Sequence, residues 1–479
     1  MGKEIKMTNI ISWRFAEKWA CQIITFVITI VIARILNPDA YGIVAIVSAF
    51  ISIFSVFVDS GLGNSLIQKK DITDVDYSTV FYTNLLLCTI IYLLLFFVSP
   101  SVEEYYQMEG LSSLLRVSGL SLLIFSLKNV QEAYISKNLQ FKKFFFASLF
   151  GTIGSGIVGI WMALKGFGAW ALVISNLFDV ICDTLFLFFL VEWKPKLVFS
   201  FKRLRSLYNY GWKIFVSSLI NKIYKKSSQL IIGKFYSSSD LAFFDKGDTI
   251  AGKITINVDS TINSVLFPVL SINQDNKDDL KKITKNTLKT NFYIMTPLLI
   301  GLFIVCKPFI SVVLTDKWLP AVDYIRIYCL INILLPFHST NLNVIKSIGK
   351  SGLFLKLEIY KKIIGILFLI FTVKYGPLAI AYGQLITNII CLFINSYSNR
   401  KDINYGIFEQ IKDILPTVFI STIMALVVNI INYLNIVAII KLVIEVLLGI
   451  IIYVVLSYVL KIDVFINIIK LIKEKKKNA

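Results

Sequence analysis

The sequence predicts an all-α polytopic membrane protein with about 14 transmembrane helices, and three observations carry that prediction. Apolar runs of ~20 residues recur along the 479-residue chain, each long enough to cross the ~30 Å hydrocarbon core of a bilayer. The chain is 56% hydrophobic and only 16% charged, with a mean hydropathy of +0.73, whereas a soluble domain is about a quarter charged. About thirty Lys and Arg residues fall in every second gap between the runs and about five in the alternate gaps. Basic loops stay on the cytoplasmic side during insertion, so this alternation fixes the topology.

In chain order the first six spans cover 10–35, 41–67, 77–99, 111–136, 143–164 and 168–192. The first run is too long for a cleaved signal peptide, so it is expected to be retained. Spans 1 and 2 meet at Leu36-Asn37-Pro38-Asp39-Ala40-Tyr41-Gly42, whose Pro and Gly make a tight turn. A basic stretch with Lys194, Lys196, Lys202, Arg203 and Arg205 then links two halves. Spans 7–12 cover 208–236, 241–270, 291–315, 320–346, 352–374 and 377–398, with a polar segment at 275–290 expected to be a solvated cytoplasmic helix leading into span 9. Spans 13 (409–433) and 14 (436–460) precede a basic tail. The expected organisation is an N-terminal six-helix lobe (1–192), a cytoplasmic linker (193–207), a C-terminal six-helix lobe (208–400), two extra helices (401–460) and a tail (461–479). An even number of spans puts both termini in the cytoplasm.

A faint internal repeat supports two lobes. A shift of 200 residues lays Val58-Asp59-Ser60 on Val258-Asp259-Ser260 and Ala33-Arg34 on Gly233-Lys234. A shift of 208 lays Gly168-Ala169-Trp170-Ala171-Leu172 on Gly376-Pro377-Leu378-Ala379-Ile380. Six spans per half give both halves the same orientation, so the repeat is parallel, with a cavity expected between the bundles.

The net charge of +19 comes mostly from loop lysines and leaves attraction to anions, lipid head groups or a substrate, as the remainder. No continuous basic face for nucleic acid is present. Cys21, Cys88, Cys182, Cys306, Cys329 and Cys391 lie in apolar runs without CxxC spacing, as free thiols would. No metal or cofactor site is expected. Gly247 to Lys253 has phosphate-loop spacing, but Ile254 stands where Ser or Thr would hold magnesium. Asp74-Val75-Asp76 resembles a metal-binding carboxylate pair but is placed to cap the third span.

Charges inside the spans are the functional signal, because each costs about 2.5–3.5 kcal/mol at mid-membrane on insertion scales. Arg14, Glu17 and Lys18 share a face of span 1. Lys128 and Glu132 form an i,i+4 pair on span 4, and Asp179 and Asp183 do so on span 6. Span 7 holds Lys213, Lys222, Lys225 and Lys226; span 8 holds Asp245, Lys246, Asp248, Lys253 and Asp259. Spans 1, 7 and 8 are therefore expected to line a wet, cationic cavity. Arg14 and Lys18 could instead snorkel to head groups. Glu17, Asp59, Glu132, Asp179 and Asp259 are candidates either for ion coupling or for structural pairing. His338, beside Pro336, is expected to be a packing residue.

The segments Ala33-Arg34-Ile35-Leu36-Asn37-Pro38-Asp39-Ala40-Tyr41-Gly42 and Asp59-Ser60-Gly61-Leu62-Gly63-Asn64-Ser65-Leu66-Ile67-Gln68 resemble the bacterial Wzx-type polysaccharide-unit exporters. Gly168-Ala169-Trp170-Ala171-Leu172-Val173 and Asp316-Lys317-Trp318-Leu319-Pro320-Ala321 extend the likeness. These flippases belong to the multidrug/oligosaccharidyl-lipid/polysaccharide superfamily. The resemblance implies a MATE-like fold of two six-helix bundles around a cleft that opens to each side in turn. It implies an undecaprenyl-diphosphate-linked oligosaccharide as cargo, the bacterial cytoplasmic membrane as location, and polymerase and chain-length machinery as possible partners. Cations Arg14, Lys18, Lys222, Lys225 and Lys253 are the candidates for the diphosphate. Related lipid II flippases use cations on helices 1, 2 and 8; here span 2 has no Lys or Arg before Lys69, so that part does not carry over. A drug or cation exporter of the same fold is the alternative, and a membrane glycosyltransferase or polymerase is disfavoured by the short loops.

Overall fold

The computed structural model describes residues 20–59, 62–68, 71–138, 140–434, 436–467 and 469–470. Among them the chain is helical with no strand. The helices are α1 (Ala20–Ile35), α2 (Pro38–Asp59), α3 (Leu62–Gln68), α4 (Asp74–Tyr106), α5 (Leu111–Lys137), α6 (Phe141–Leu164), α7 (Ala169–Leu190), α8 (Phe201–Phe235) and α9 (Ser238–Ile272). They continue as α10 (Lys277–Val313), α11 (Ala321–Ile333), α12 (Leu335–Ser347), α13 (Ser351–Thr372), α14 (Pro377–Ile403), α15 (Ile407–Ile430) and α16 (Ala438–Val459). Counting α2 with α3 and α11 with α12 as single spans gives the expected order. Ten stretches are long and apolar enough to cross a membrane. The other four are α1, which is shorter as described, and α8, α9 and α13, which are charged.

The chain forms two compact units, residues 1–242 and 243–479. Helix α8 belongs to the first. Its Phe215 ring lies 5.0 Å from Phe57 on α2, and the Tyr106 hydroxyl at the end of α4 donates to the Leu230 carbonyl at 3.3 Å. Leu62, Leu66, Tyr77, Phe81, Val130 and Trp193 form a core in this unit. In the second unit α15 and α16 dock on α10. The Tyr453 hydroxyl donates to the Tyr293 carbonyl at 2.8 Å, and the Tyr293 hydroxyl donates to Ser457 Oγ at 2.9 Å.

The polar segment 275–290 is helical and runs without a break into the following span as the first part of α10, capped by the Asn276 side chain. Lys281, Lys285 and Lys289 recur every four residues and so share one face. They pair with Glu409 at 2.9 Å, Asp413 at 2.7 Å and Asp463 at 3.0 Å. The charges are matched by α15 and by the chain after α16.

The internal repeat coincides with helix boundaries. Helix α1 ends at Ile35 and α2 starts at Pro38; α8 ends at Phe235 and α9 starts at Ser238, a shift of 200. Gly168 precedes α7 and Gly376 precedes α14, a shift of 208, both at positive φ (55° and 106°), where a side chain is disfavoured. A third correspondence is visible only in three dimensions. Proline inside a helix frees a carbonyl one turn back. On α4, Pro100 frees the Phe96 carbonyl, which accepts from Arg116 Nε at 3.2 Å while that guanidinium lies 4.2 Å over the Phe96 ring. On α10 the Phe303 carbonyl, five residues before Pro308 and so not the one that proline frees, accepts from Arg326 Nε at 3.3 Å, with the guanidinium 5.6 Å from the Phe303 ring.

Gly42 on α2 meets the start of α9 so closely that an added Cβ would lie 1.8 Å from the Ser238 carbonyl oxygen. Gly42→Val is expected to abolish the folded first unit. Gly301→Ala, with nothing within 4 Å of its Cβ, should be neutral or stabilising by about 0.5–1 kcal/mol. Size-exclusion profiles and thermal unfolding in detergent of the two variants check this contrast.

Candidate functional site

Three helices of the first unit enclose a cavity of about 590 Å³. Helix α2 gives it Ser48, Ser52 and Ser55, spaced to share a helical face. Helix α5 contributes Ser118, Ser121, Phe125, Lys128, Asn129 and Glu132, and α7 contributes Asn176 and Asp179.

Its charges are organised around Lys128. The ammonium lies 3.1 Å from Glu132 Oε1 on the same helix and 2.6 Å from Asp183 Oδ2 on α7. Both Lys128 and Asp183 side chains are 14% exposed. Asp179, one turn before Asp183, accepts a long bond from Ser155 Oγ on α6 at 3.5 Å. Gly151 lets α6 approach there, since its Cβ would stand 3.1 Å from Asp179 Oδ1. One ammonium thus faces three carboxyl groups. Such a cluster suits a cation or hydroxyl donors and repels a diphosphate.

Of the cations expected to hold an anion, Lys222 and Lys225 are exposed on α8. Lys222 Nζ donates to Ser52 Oγ at 3.2 Å, which brings it to the serine face of the cavity. Lys226 instead donates to Gln229 Oε1 at 2.8 Å. Lys253 is half-buried on α9 in the second unit. Arg14, Glu17 and Lys18 lie outside the described residues, and Asp59 is the last residue of α2.

Asp259 sits among hydrogen-bond donors. Its Oδ1 accepts from Ser339 Oγ on α12 at 2.6 Å and from Asn291 Nδ2 on α10 at 3.3 Å. His338 Nδ1 lies 2.9 Å from Asn395 Nδ2, joining α12 to α14. Lys246 is buried on α9, its ammonium 5.3 Å from the Trp318 ring.

The two rejected motifs have structural uses. Residues 247–253 lie within α9 and form no loop. Asp76 is fully buried and closes a capping box with Thr73, accepting from its amide and hydroxyl at 2.9 Å each. Asp74 pairs with Lys196 at 2.5 Å and Asp76 with Arg203 at 3.5 Å. Among the described residues no group of His, Cys, Asp and Glu could hold a metal ion.

Sequence reasoning left three charged features out of the site. The Lys128–Asp183 pair joins residues 55 apart, a separation no helical spacing reveals. Lys361 and Glu358 pair on α13, where their i,i+3 spacing was the available signal. Glu445 is 1% exposed on α16, with no hydrogen-bond partner for either carboxyl oxygen among the described residues; its position inside an apolar run was the signal.

Known proteins share this architecture. The lipid II flippase MurJ, in an inward closed conformation, superposes with a TM-score of 0.75 at 18% identity, over 95% of this chain and 99% of its own. An inward-facing multidrug resistance MATE family transporter of the MOP superfamily gives 0.64 at 16% identity, over 80% of this chain and 94% of its own. By sequence, the teichuronic acid biosynthesis protein TuaB of Bacillus subtilis is 25% identical over 303 residues, and the matched stretch spans 62% of each protein. The lipopolysaccharide biosynthesis protein WzxC of Escherichia coli is 20% identical over 396 residues, covering 79% of this chain and 78% of its own. A profile of the family described as polysaccharide biosynthesis proteins matches residues 31–323. With more than half of its length matched, the chain belongs to that polysaccharide biosynthesis protein family, on an all-helical fold like that of the MurJ and MATE structures.

Proposed function

We propose that this protein is a flippase that moves undecaprenyl-diphosphate-linked oligosaccharide units across the bacterial cytoplasmic membrane by alternating access. The units would supply a surface polysaccharide such as O-antigen, capsule or exopolysaccharide. The observation that carries this reading is the family match on a polytopic helical fold. Lysines stationed within the spans support it. Counted from the α8–α9 turn at 1.5 Å per residue, Lys222 stands ~20 Å along α8 and Lys253 ~22 Å along α9. Counted so, both lie within the ~30 Å hydrocarbon span, about two thirds of the way from the turn, where a cation needs an anion or water.

In this reading Arg14, Lys18, Lys222, Lys225 and Lys253 receive the diphosphate, while the polyprenyl tail remains in lipid. Two lobes rock to expose the sugars outside, with both termini cytoplasmic and no covalent chemistry. Glu132, Asp179 and the Lys128 cluster serve either ion coupling or lobe integrity, and Asp59, Asp259 and Glu17 share that assignment. A proton gradient, a sodium gradient or the membrane potential could drive the cycle. Polymerase and chain-length proteins would act on the exported units.

One observation favours a second reading, a cation-coupled drug exporter: the acidic excess around Lys128 in the 590 Å³ cavity. Export of a fluorescent organic cation from vesicles separates the two.

Substituting Lys222, Lys225 and Lys253 together with Gln should cut translocation in a vesicle assay at least about tenfold, equivalent to ~1.4 kcal/mol. Lipid-linked oligosaccharide should then accumulate in the cytoplasmic leaflet. Unchanged translocation would remove the lysines from the head-group role. Lys128→Met leaves Asp183 unpaired in a largely buried site and should cost about 3 kcal/mol. Lys128→Met with Asp183→Leu should recover most of that loss, as read by thermal unfolding.

A further inference from the structure

Between α7 and α8 the chain is extended from Val191 to Ser200 and is fastened to the start of α4. The Lys196 amide donates to Ser78 Oγ at 3.1 Å and the Ser200 amide to Thr79 Oγ1 at 3.2 Å. Ser78 and Thr79 are fully buried. The Lys196–Asp74 and Arg203–Asp76 ion pairs hold the same segment from its side chains. Its first part packs inward: Val191 and Trp193 are buried, and the Trp193 ring lies 5.5 Å from Tyr77.

After Pro195 the apolar side chains turn outward although the backbone beneath them is held. Leu197 is 94% exposed, Phe201 79% and Phe199 45%. The Phe199 and Phe201 rings meet edge-on at 4.9 Å, so they form one ridge. Irregular backbone is not tolerated against hydrocarbon, which places the ridge at the membrane surface. It continues the outward apolar surface of α7, whose Phe189 is also exposed.

Cations flank the ridge. Helix α8 opens with Lys202, Arg203 and Arg205 and has no acid in its first turn. The N-terminal end of a helix carries partial positive charge, so bases there are repelled unless an anion meets them. Asp76 meets Arg203. Lys202 and Arg205 are exposed and have no ion pair among the described residues.

We propose that residues 197–205 are a docking site for anionic phospholipid. Leu197, Phe199 and Phe201 enter the boundary between head groups and acyl chains, and Lys202 and Arg205 bind lipid phosphates. The combination of an apolar ridge with adjacent basic residues is what an interfacial anchor requires. The site is independent of what the protein transports.

The test uses the full-length chain with its six native cysteines replaced and a nitroxide on Leu197→Cys. It is reconstituted in phosphatidylcholine vesicles with and without phosphatidylglycerol. The label should be reached by oxygen and shielded from a water-soluble nickel chelate, more strongly when phosphatidylglycerol is present. Lys202→Gln with Arg205→Gln should remove the phosphatidylglycerol-dependent gain, by about fivefold per lost charge. Both side chains are exposed, so the folded protein should survive; Phe201→Ser, which keeps the charges, should make the label shallower in both lipids. A label open to the nickel chelate in both lipids would overturn the proposal, as would equal depth in both. Shielding that appears only after a cell extract is added would assign the ridge to a protein partner and would also overturn it.

Discussion

A charge inside a bilayer must be matched by the fold or aimed at something that will match it, and this chain does both. Lys128 is matched twice over, by Glu132 and Asp183. Just outside the apolar part of α10, Lys281, Lys285 and Lys289 are matched one for one by acids from α15 and the chain after α16. Arg116 and Arg326 are matched by a backbone carbonyl and an aromatic face. Lys225 and Lys253 have no ion pair among the described residues, which is why they remain the interesting cations. The structural charges and the functional candidates have the same chemistry and similar positions in the sequence. They are separated by what surrounds them.

Much of the architecture was legible because membrane insertion is itself a one-dimensional reading of the chain. Span order and approximate boundaries follow from apolar run length, and the described helices fall in the same order. The two repeat shifts found in the sequence land on real junctions: the turns at 35–38 and 235–238, and the glycines at 168 and 376. At Gly168 and Gly376 the backbone has positive φ, which restricts the residues allowed. The Arg–Phe clamps were invisible by the same logic. The partners are about twenty residues apart on different helices, and the spacing differs between the copies. What the copies share is an arginine that meets both the carbonyl and the ring of a phenylalanine about one turn ahead of a proline.

The candidate site was legible where it is local. The Lys128–Glu132 pair follows from i,i+4 spacing, and the structure has it at 3.1 Å. Asp183 was visible only as a charge beside Asp179; its bond to Lys128 requires α5 and α7 to be neighbours, which no single-sequence pattern gives. Counting apolar runs also hides charges within an accepted run. The α13 pair Lys361–Glu358 and the buried Glu445 of α16 escaped for that reason.

The basic gap at 193–207 shows how a composition signal can be right about place and silent about mechanics. Its lysines and arginines mark a membrane surface, as the charge bias predicts. As a connection between halves, the segment would be expected to be loose. Instead two amide–hydroxyl bonds and two ion pairs hold it to the start of α4, and Trp193 sits in the core beside Tyr77. Helix α8, which follows it, packs on α2 and α4 within the first unit. The segment is thus held to α4 by both its backbone and its side chains.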